Sequence, residues 1–96
     1  MSVTLMVEFK AKPGKSAKLR KLVKSWVPST KKAQGCRSMK VFRHPTKKDC
    51  VVSLEEWSSK AAHDRYVKKV LASGAMDSPE MKVLSGKPKE QYFKAI

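Results

Sequence analysis

Two histidines, His44 and His63, are the side chains of this sequence that exchange a proton near neutral pH. His63 falls on the apolar stripe of a predicted helix, where it either acts on a bound ligand or packs as a hydrogen-bonded core residue. His44 lies beside Pro45 in a predicted hairpin and is expected to be exposed. Trp57 ends the strand before that helix and either lines a pocket or packs in the core.

Two neighbouring carboxylates, Glu55 and Glu56, do not form an acid–base pair, because consecutive residues of a strand point to opposite faces. Glu55 is predicted to share a face with Lys40 and to form an ion pair with it; a catalytic carboxylate is the alternative. Cys36 and Cys50 lack CxxC spacing, so we expect reduced, unreactive thiols and no metal site.

Hydrophobic periodicity predicts the elements that must position these side chains. Residues 3–12 alternate between apolar and polar and predict a strand. The next element is a helix that is kinked at Pro28 and ends before Gly35. Two further strands, at 36–43 and 50–57, flank a hairpin loop at 44–49. A second helix, capped by Ser58 or Ser59, ends near Gly74 and is followed by a helical turn at 81–84 and a strand at 87–95. The predicted buried positions are Val3, Leu5, Val7 and Phe9 in the first strand, Leu19, Leu22, Val23, Trp26 and Val27 in the first helix, and His63, Tyr66, Val67, Val70 and Leu71 in the second.

The order β-α-β-β-α-β in a single 96-residue domain predicts an α+β, ferredoxin-like fold, with an antiparallel four-stranded sheet and both helices on one face. Pairing Arg43 with Cys50 sets the register of the central hairpin. Val41 then faces Val52 and Met39 faces Leu54 on an apolar surface. The other surface is predicted to carry a mixed set: Ser38, Lys40, Phe42, Val51, Ser53, Glu55 and Trp57.

Charge is the unusual feature of the composition, with 22 Lys and Arg against 8 Asp and Glu, a net charge of +14. Nine of these basic residues fall between Lys10 and Lys32, mostly on the polar side of the first helix. Polyanion or nucleic-acid binding is one interpretation, and charge that is simply solvated is the other.

No apolar run is long enough to span a bilayer and no signal-peptide pattern is present, so a cytoplasmic protein is expected. The small size favours a dimer.

Several short segments resemble the antibiotic biosynthesis monooxygenase family. They are Pro13-Gly14-Lys15, Trp26-Val27-Pro28, Gly35-Cys36 and Leu54-Glu55-Glu56-Trp57-Ser58, and their order and spacing span nearly the whole chain. The resemblance implies a dimeric α/β barrel and oxygenation, without a cofactor, of an electron-rich aromatic such as a hydroquinone or anthrone. In that chemistry the substrate supplies electrons to oxygen, and the protein supplies an apolar pocket and one group for the phenolic proton.

The resemblance makes His63 the candidate catalytic residue, as acceptor of a phenol proton. The candidate substrate-binding residues are Trp57, Tyr66, Phe42, Trp26 and Met76. The haem-degrading branch of the same superfamily carries Asn, Trp and His where this chain has Val7, Tyr66 and Met76, so haem is not expected. Two alternatives stay open: a non-catalytic protein that binds a small ligand on the same fold, and a polyanion or nucleic-acid binder.

Overall fold

The computed structural model describes residues 2–96. Its strands are β1 (Val3–Lys10), β2 (Cys36–Arg43), β3 (Cys50–Trp57) and β4 (Lys89–Phe93), and its helices are α1 (Ser16–Ser25), α2 (Val27–Lys31) and α3 (Lys60–Ala72). Two short 3-10 helices, Ala75–Asp77 and Pro79–Val83, precede β4. The strands form one antiparallel sheet in the order β2-β3-β1-β4, which confirms the predicted α+β, ferredoxin-like fold. Among residues 2–96, no helix combines the length and the apolar character needed to cross a membrane.

The apolar alternation of β1 builds the centre of the core. Val3, Leu5, Val7 and Phe9 are all buried, as predicted, and β1 pairs with β3 on one side and β4 on the other. The ladder ends at Lys10 rather than at residue 12, since Ala11 forms only an isolated bridge with Leu84.

The break in the first helical region precedes Pro28. Helix α1 ends at Ser25 and α2 begins at Val27, with Pro28 in the first turn of α2, where its missing N–H is not needed. A proline ring clashes with the carbonyl four residues earlier in a continuous helix, so the interruption falls at Trp26, two residues before the proline, instead of at it. Leu19, Leu22 and Val23 are buried as predicted.

The register of the hairpin between β2 and β3 differs from the prediction by one residue. Arg43 pairs with Val51, not Cys50, because the loop closes through a hydrogen bond from the His44 amide to the Cys50 carbonyl. The His44 imidazole Nδ1 also accepts hydrogen bonds from the Thr46 and Lys47 amides, so the half-buried ring organises the loop. Because side chains alternate between the two faces of a sheet, a shift of one residue places side chains that were predicted to share a face on opposite faces.

The mixed surface predicted for β2 and β3 is therefore divided between the two faces of the sheet. Met39 pairs with Glu55 and Val41 with Ser53 on the face that the helices cover. Lys40 pairs with Leu54, and Phe42 with Val52, on what we call the open face. The open face also carries Met6 and Phe93 and leaves Phe42, Leu54 and Phe93 exposed by 49%, 39% and 48%.

Helix α3 begins with the cap that the sequence predicted. The Ser59 hydroxyl accepts a hydrogen bond of 3.1 Å from the Ala62 amide. Gly35, at a φ of +92°, packs against this first turn, where a Cβ would lie 2.6 Å from the Ala62 Cβ. Only Ala62 and His63 of α3 are buried. Tyr66, Val67 and Val70 are half-buried, and Leu71 is 58% exposed, against the prediction.

Candidate functional site

Trp57 is the centre of a cluster of aromatic and polar side chains between the sheet and α3. It is the last residue of β3 and is fully buried. Its ring centroid lies 5.2 Å from that of His63, edge to face, and 5.4 Å from that of Tyr66. The Trp57 ring therefore packs against the His63 imidazole and the Tyr66 ring at once.

His63 shares a short hydrogen bond with a residue that comes from the far end of the chain. Its Nδ1 lies 2.6 Å from the hydroxyl oxygen of Tyr92, on β4, and the two rings meet edge to face. Burial raises the pKa of the Tyr92 phenol, and the carboxylates of Glu90, Asp64 and Glu55 raise it further. Tyr92 is therefore a neutral phenol beside the imidazole.

Glu55 is the buried carboxylate beneath this cluster. It accepts hydrogen bonds from the Trp57 indole N–H at 2.9 Å and from the Ser53 hydroxyl at 3.1 Å. The predicted ion pair with Lys40 is wrong, because the register places Lys40 on the open face and Glu55 under the helices. Glu55 instead fixes the orientation of the Trp57 ring.

Tyr66 connects the cluster to α2. Its hydroxyl lies 3.0 Å from the hydroxyl of Thr30, which is buried. Next to Tyr66, an open cleft of about 600 Å³ separates α2 from α3. Ala62 and Tyr66, which flank His63 along α3, line its inner side, and Lys32, Arg65, Lys68 and Lys69 contribute to its rim. Of the clustered side chains, Tyr66 lines this cleft, whereas His63 and Trp57 do not.

The structure brings together three of the six predicted site residues, His63, Trp57 and Tyr66. Trp26 is half-buried and packs on Phe9, with ring centroids 5.6 Å apart. Phe42 lies on the open face, on the other side of the sheet, and Met76 is 42% exposed in a 3-10 helix.

Sequence reasoning did not identify Tyr92, and it paired Glu55 with the wrong partner. The alternation of the last strand contained a usable signal, since Tyr92 pairs with the buried Leu5 and so faces the helices. Thr30, the partner of Tyr66, carried no signal in the sequence, because its burial depends on how α2 packs.

The two thiols lie at opposite ends of the hairpin: Cys36 is the cross-strand partner of Trp57, and Cys50 pairs with Lys10. Cys36 is half-buried and Cys50 is buried, and neither forms a disulfide. Burial raises the pKa of both thiols, with further contributions from Glu55 at Cys36 and from Glu8 at Cys50. Both are protonated thiols at neutral pH, in line with the inert role expected for them.

Comparison with known proteins places this arrangement in a family. No curated protein matches the chain in sequence. Among solved structures, the PA3566 protein of Pseudomonas aeruginosa matches with a TM-score of 0.85 at 17% identity, covering 99% of this chain and 94% of that one. SnoaB, a cofactor-independent oxygenase from Streptomyces nogalater, matches with a TM-score of 0.77 at 16% identity, covering 98% of this chain and 92% of that one.

At these identities the structural matches establish the fold, while the sequence model of the family gives the assignment. That model, described as antibiotic biosynthesis monooxygenase, matches residues 2–82, which include β1, the hairpin, His63 and Tyr66. The chain belongs to the antibiotic biosynthesis monooxygenase family.

Proposed function

We propose that this protein is a cofactor-independent monooxygenase that oxidises an electron-rich aromatic of the hydroquinone or anthrone type. The observation that carries the proposal is the pair of the buried His63, which packs on the Trp57 ring, and the half-buried Tyr92, with Nδ1 and the hydroxyl oxygen 2.6 Å apart. A histidine held by a neutral partner beside an aromatic wall has the features of a general base for a bound phenol.

The proposed mechanism gives the two ring nitrogens of His63 different roles. In the catalytic tautomer, Nδ1–H donates to the hydroxyl oxygen of Tyr92, and Nε2 keeps the lone pair that accepts the substrate proton. Once protonated, the imidazolium keeps the same hydrogen bond, so the ring does not need to move during the proton transfer.

The reaction balances without an external electron donor. For an anthrone, His63 accepts the phenolic proton, and the electron-rich anion transfers electrons to O2 and forms a carbon–oxygen bond. The methylene carbon becomes a carbonyl, one oxygen atom remains in the product, and the other leaves as water with the two methylene hydrogens. The protein contributes proton transfer, orientation and exclusion of water.

Access to His63 runs, in this proposal, through the cleft between α2 and α3. Tyr66 lies at the inner side of that cleft and against Trp57, so a planar substrate entering there stacks within one helical turn of His63. Tyr66 is the proposed aromatic contact, and the fully buried Trp57 supports its ring from behind. Trp26, Phe42 and Met76 are not assigned to the pocket, because they lie outside the cluster.

Oxygen consumption is the direct test of this function. We expect the purified protein to consume O2 with at least one member of a panel of hydroquinones and anthrones, without added metal, flavin or haem. With 18O2, mass spectrometry is expected to find one labelled atom in the product. Background uptake across the panel, with substrate binding still detectable by a thermal shift, would favour the non-catalytic ligand binder instead.

We further propose that a second copy of the chain covers the open face, as the dimeric barrel implied by the family resemblance requires. The exposed Phe42, Leu54 and Phe93 form an apolar surface of the kind that marks a protein interface. We expect the substitution Phe42→Glu to convert the dimer into a monomer, because the new carboxylate would be buried in that interface. Analytical ultracentrifugation should then give a mass of 10.8 kDa instead of twice that value. Lys18→Glu, on the exposed side of α1, is the control and is expected to leave the mass unchanged. A wild-type protein that sediments as a monomer would contradict the dimer.

A further inference from the structure

A second cleft, of about 450 Å³, lies at the opposite end of the molecule's sheet from Trp57, where β1 ends. Three segments meet there: the end of β1, the hairpin loop after β2, and the loop that leads into β4. Five of its nine lining residues are lysines, namely Lys10, Lys47, Lys48, Lys87 and Lys89. The other four are Glu8, Asp49, Cys50 and Ser85.

Backbone hydrogen bonds hold the three segments in place. The Ser85 amide donates to the Lys10 carbonyl at 2.7 Å, and the Ala11 amide donates to the Asp49 carbonyl at 2.8 Å. The His44 ring accepts the Lys47 amide at 3.0 Å, which anchors the part of the loop that carries two of the lysines. The positions from which the lysines extend are therefore set before any ligand arrives, which lowers the cost of ordering them.

The cleft stays positively charged, because its five lysines outnumber its two carboxylates by three. Those carboxylates accept hydrogen bonds from uncharged donors: Asp49 from the Ser16 hydroxyl, and Glu8 from the Cys50 thiol at 3.5 Å. Among residues 2–96, the ion pair within 4.0 Å is Lys60 with Asp64, and none of the five cleft lysines takes part in it. Several like charges facing one concave space attract an anion strongly, because the cleft focuses their field.

We propose that this cleft binds a compact, multiply charged phosphate, such as a triphosphate group. Its volume lies in the range of small-molecule sites. Lysine ammonium groups are point donors that suit phosphate oxygens in several orientations. The lining has no aromatic residue on which a base could stack, whereas proteins that bind single-stranded nucleic acid combine a basic groove with such residues. A short polyphosphate therefore fits better than a nucleic acid strand.

Calorimetric titration with sodium tripolyphosphate tests the proposal. The cleft variant Lys47→Gln/Lys48→Gln/Lys87→Gln is compared with Lys18→Gln/Lys21→Gln/Lys24→Gln, which removes the same charge from exposed positions of α1. We expect the dissociation constant to rise at least about tenfold in the cleft variant and less than about twofold in the control, since only the former loses direct contacts. Thermal melting by circular dichroism checks that both variants are folded.

Titration with ATP distinguishes the sources of a triphosphate. Equal affinity for ATP and tripolyphosphate supports recognition of the phosphates alone, and tighter binding of ATP, still lost in the cleft variant, supports a nucleotide at the same site. An equal loss of affinity in both triple variants would overturn the proposal, since it would mean diffuse attraction to the whole basic surface. So would a single-stranded oligonucleotide that binds more tightly than tripolyphosphate and is weakened by the α1 substitutions.

Discussion

Replacement of Trp57 by alanine is expected to lower the free energy of unfolding by about 3–5 kcal/mol, the range for truncation of a large buried aromatic. The fully buried indole packs on His63 and Tyr66, and its N–H is a hydrogen-bond donor to the buried Glu55. The variant therefore leaves a cavity and an under-bonded carboxylate at the same place. Urea unfolding followed by circular dichroism measures the loss.

Trp26→Ala is the matched control, because Trp26 is the other tryptophan and is only half-buried. We expect a smaller loss there, about 1–2 kcal/mol, from its contact with Phe9. If Trp57→Ala is too unstable to titrate, Trp57→Phe retains a ring and removes the indole N–H, with an expected loss of about 1–3 kcal/mol. Equal losses for Trp26→Ala and Trp57→Ala would contradict the central position of Trp57 in the core.

The second large effect is expected at His63. If His63 is the general base, His63→Ala lowers kcat for O2-dependent oxidation by about 10²–10⁴-fold, the usual contribution of positioned acid–base catalysis. KM should change little, since Tyr66 supplies the proposed aromatic contact and is retained. Added imidazole should restore part of the rate, because it can replace the missing base in the space that the substitution leaves. Steady-state oxygen uptake with the best substrate of the panel measures all three quantities.

Two further variants separate chemistry from structure. His44→Ala removes the other histidine, which organises the hairpin loop, and is expected to leave kcat unchanged. Tyr92→Phe keeps the ring but removes the hydroxyl that holds Nδ1, so we expect a lower kcat with KM retained. A His63→Ala variant that is folded and as fast as the wild type would exclude His63 as the base.

Local periodicity was sufficient for the order of the elements and for much of the core. The alternation of Val3, Leu5, Val7 and Phe9 and the helical spacing of Leu19, Leu22 and Val23 both predicted burial correctly. Such patterns depend on one element having one buried side, which is a property of the local chain. The Ser59 cap was predictable for the same reason, since capping involves only neighbouring backbone amides.

The register of the hairpin could not be predicted from the alternation of its strands. It depends on how the loop from His44 to Cys50 closes, and the His44 ring takes part in that closure by accepting two loop amides. Because strand side chains alternate with a period of two, this single-residue difference moved Phe42 to the open face relative to Glu55 and excluded the predicted pair of Glu55 with Lys40.

The sequence by itself determined the fold class, the central strand and the presence of His63 and Trp57 on the inner side of their elements. Only the tertiary structure decided that His63 meets Tyr92, that Glu55 holds Trp57, and that five lysines from three segments line one cleft. His63 and Tyr92 are 29 positions apart, and the five lysines come from three separate segments. Periodicity reports which side of an element is buried, whereas the neighbour found there depends on strand order, register and loop closure, which arise only when the elements pack.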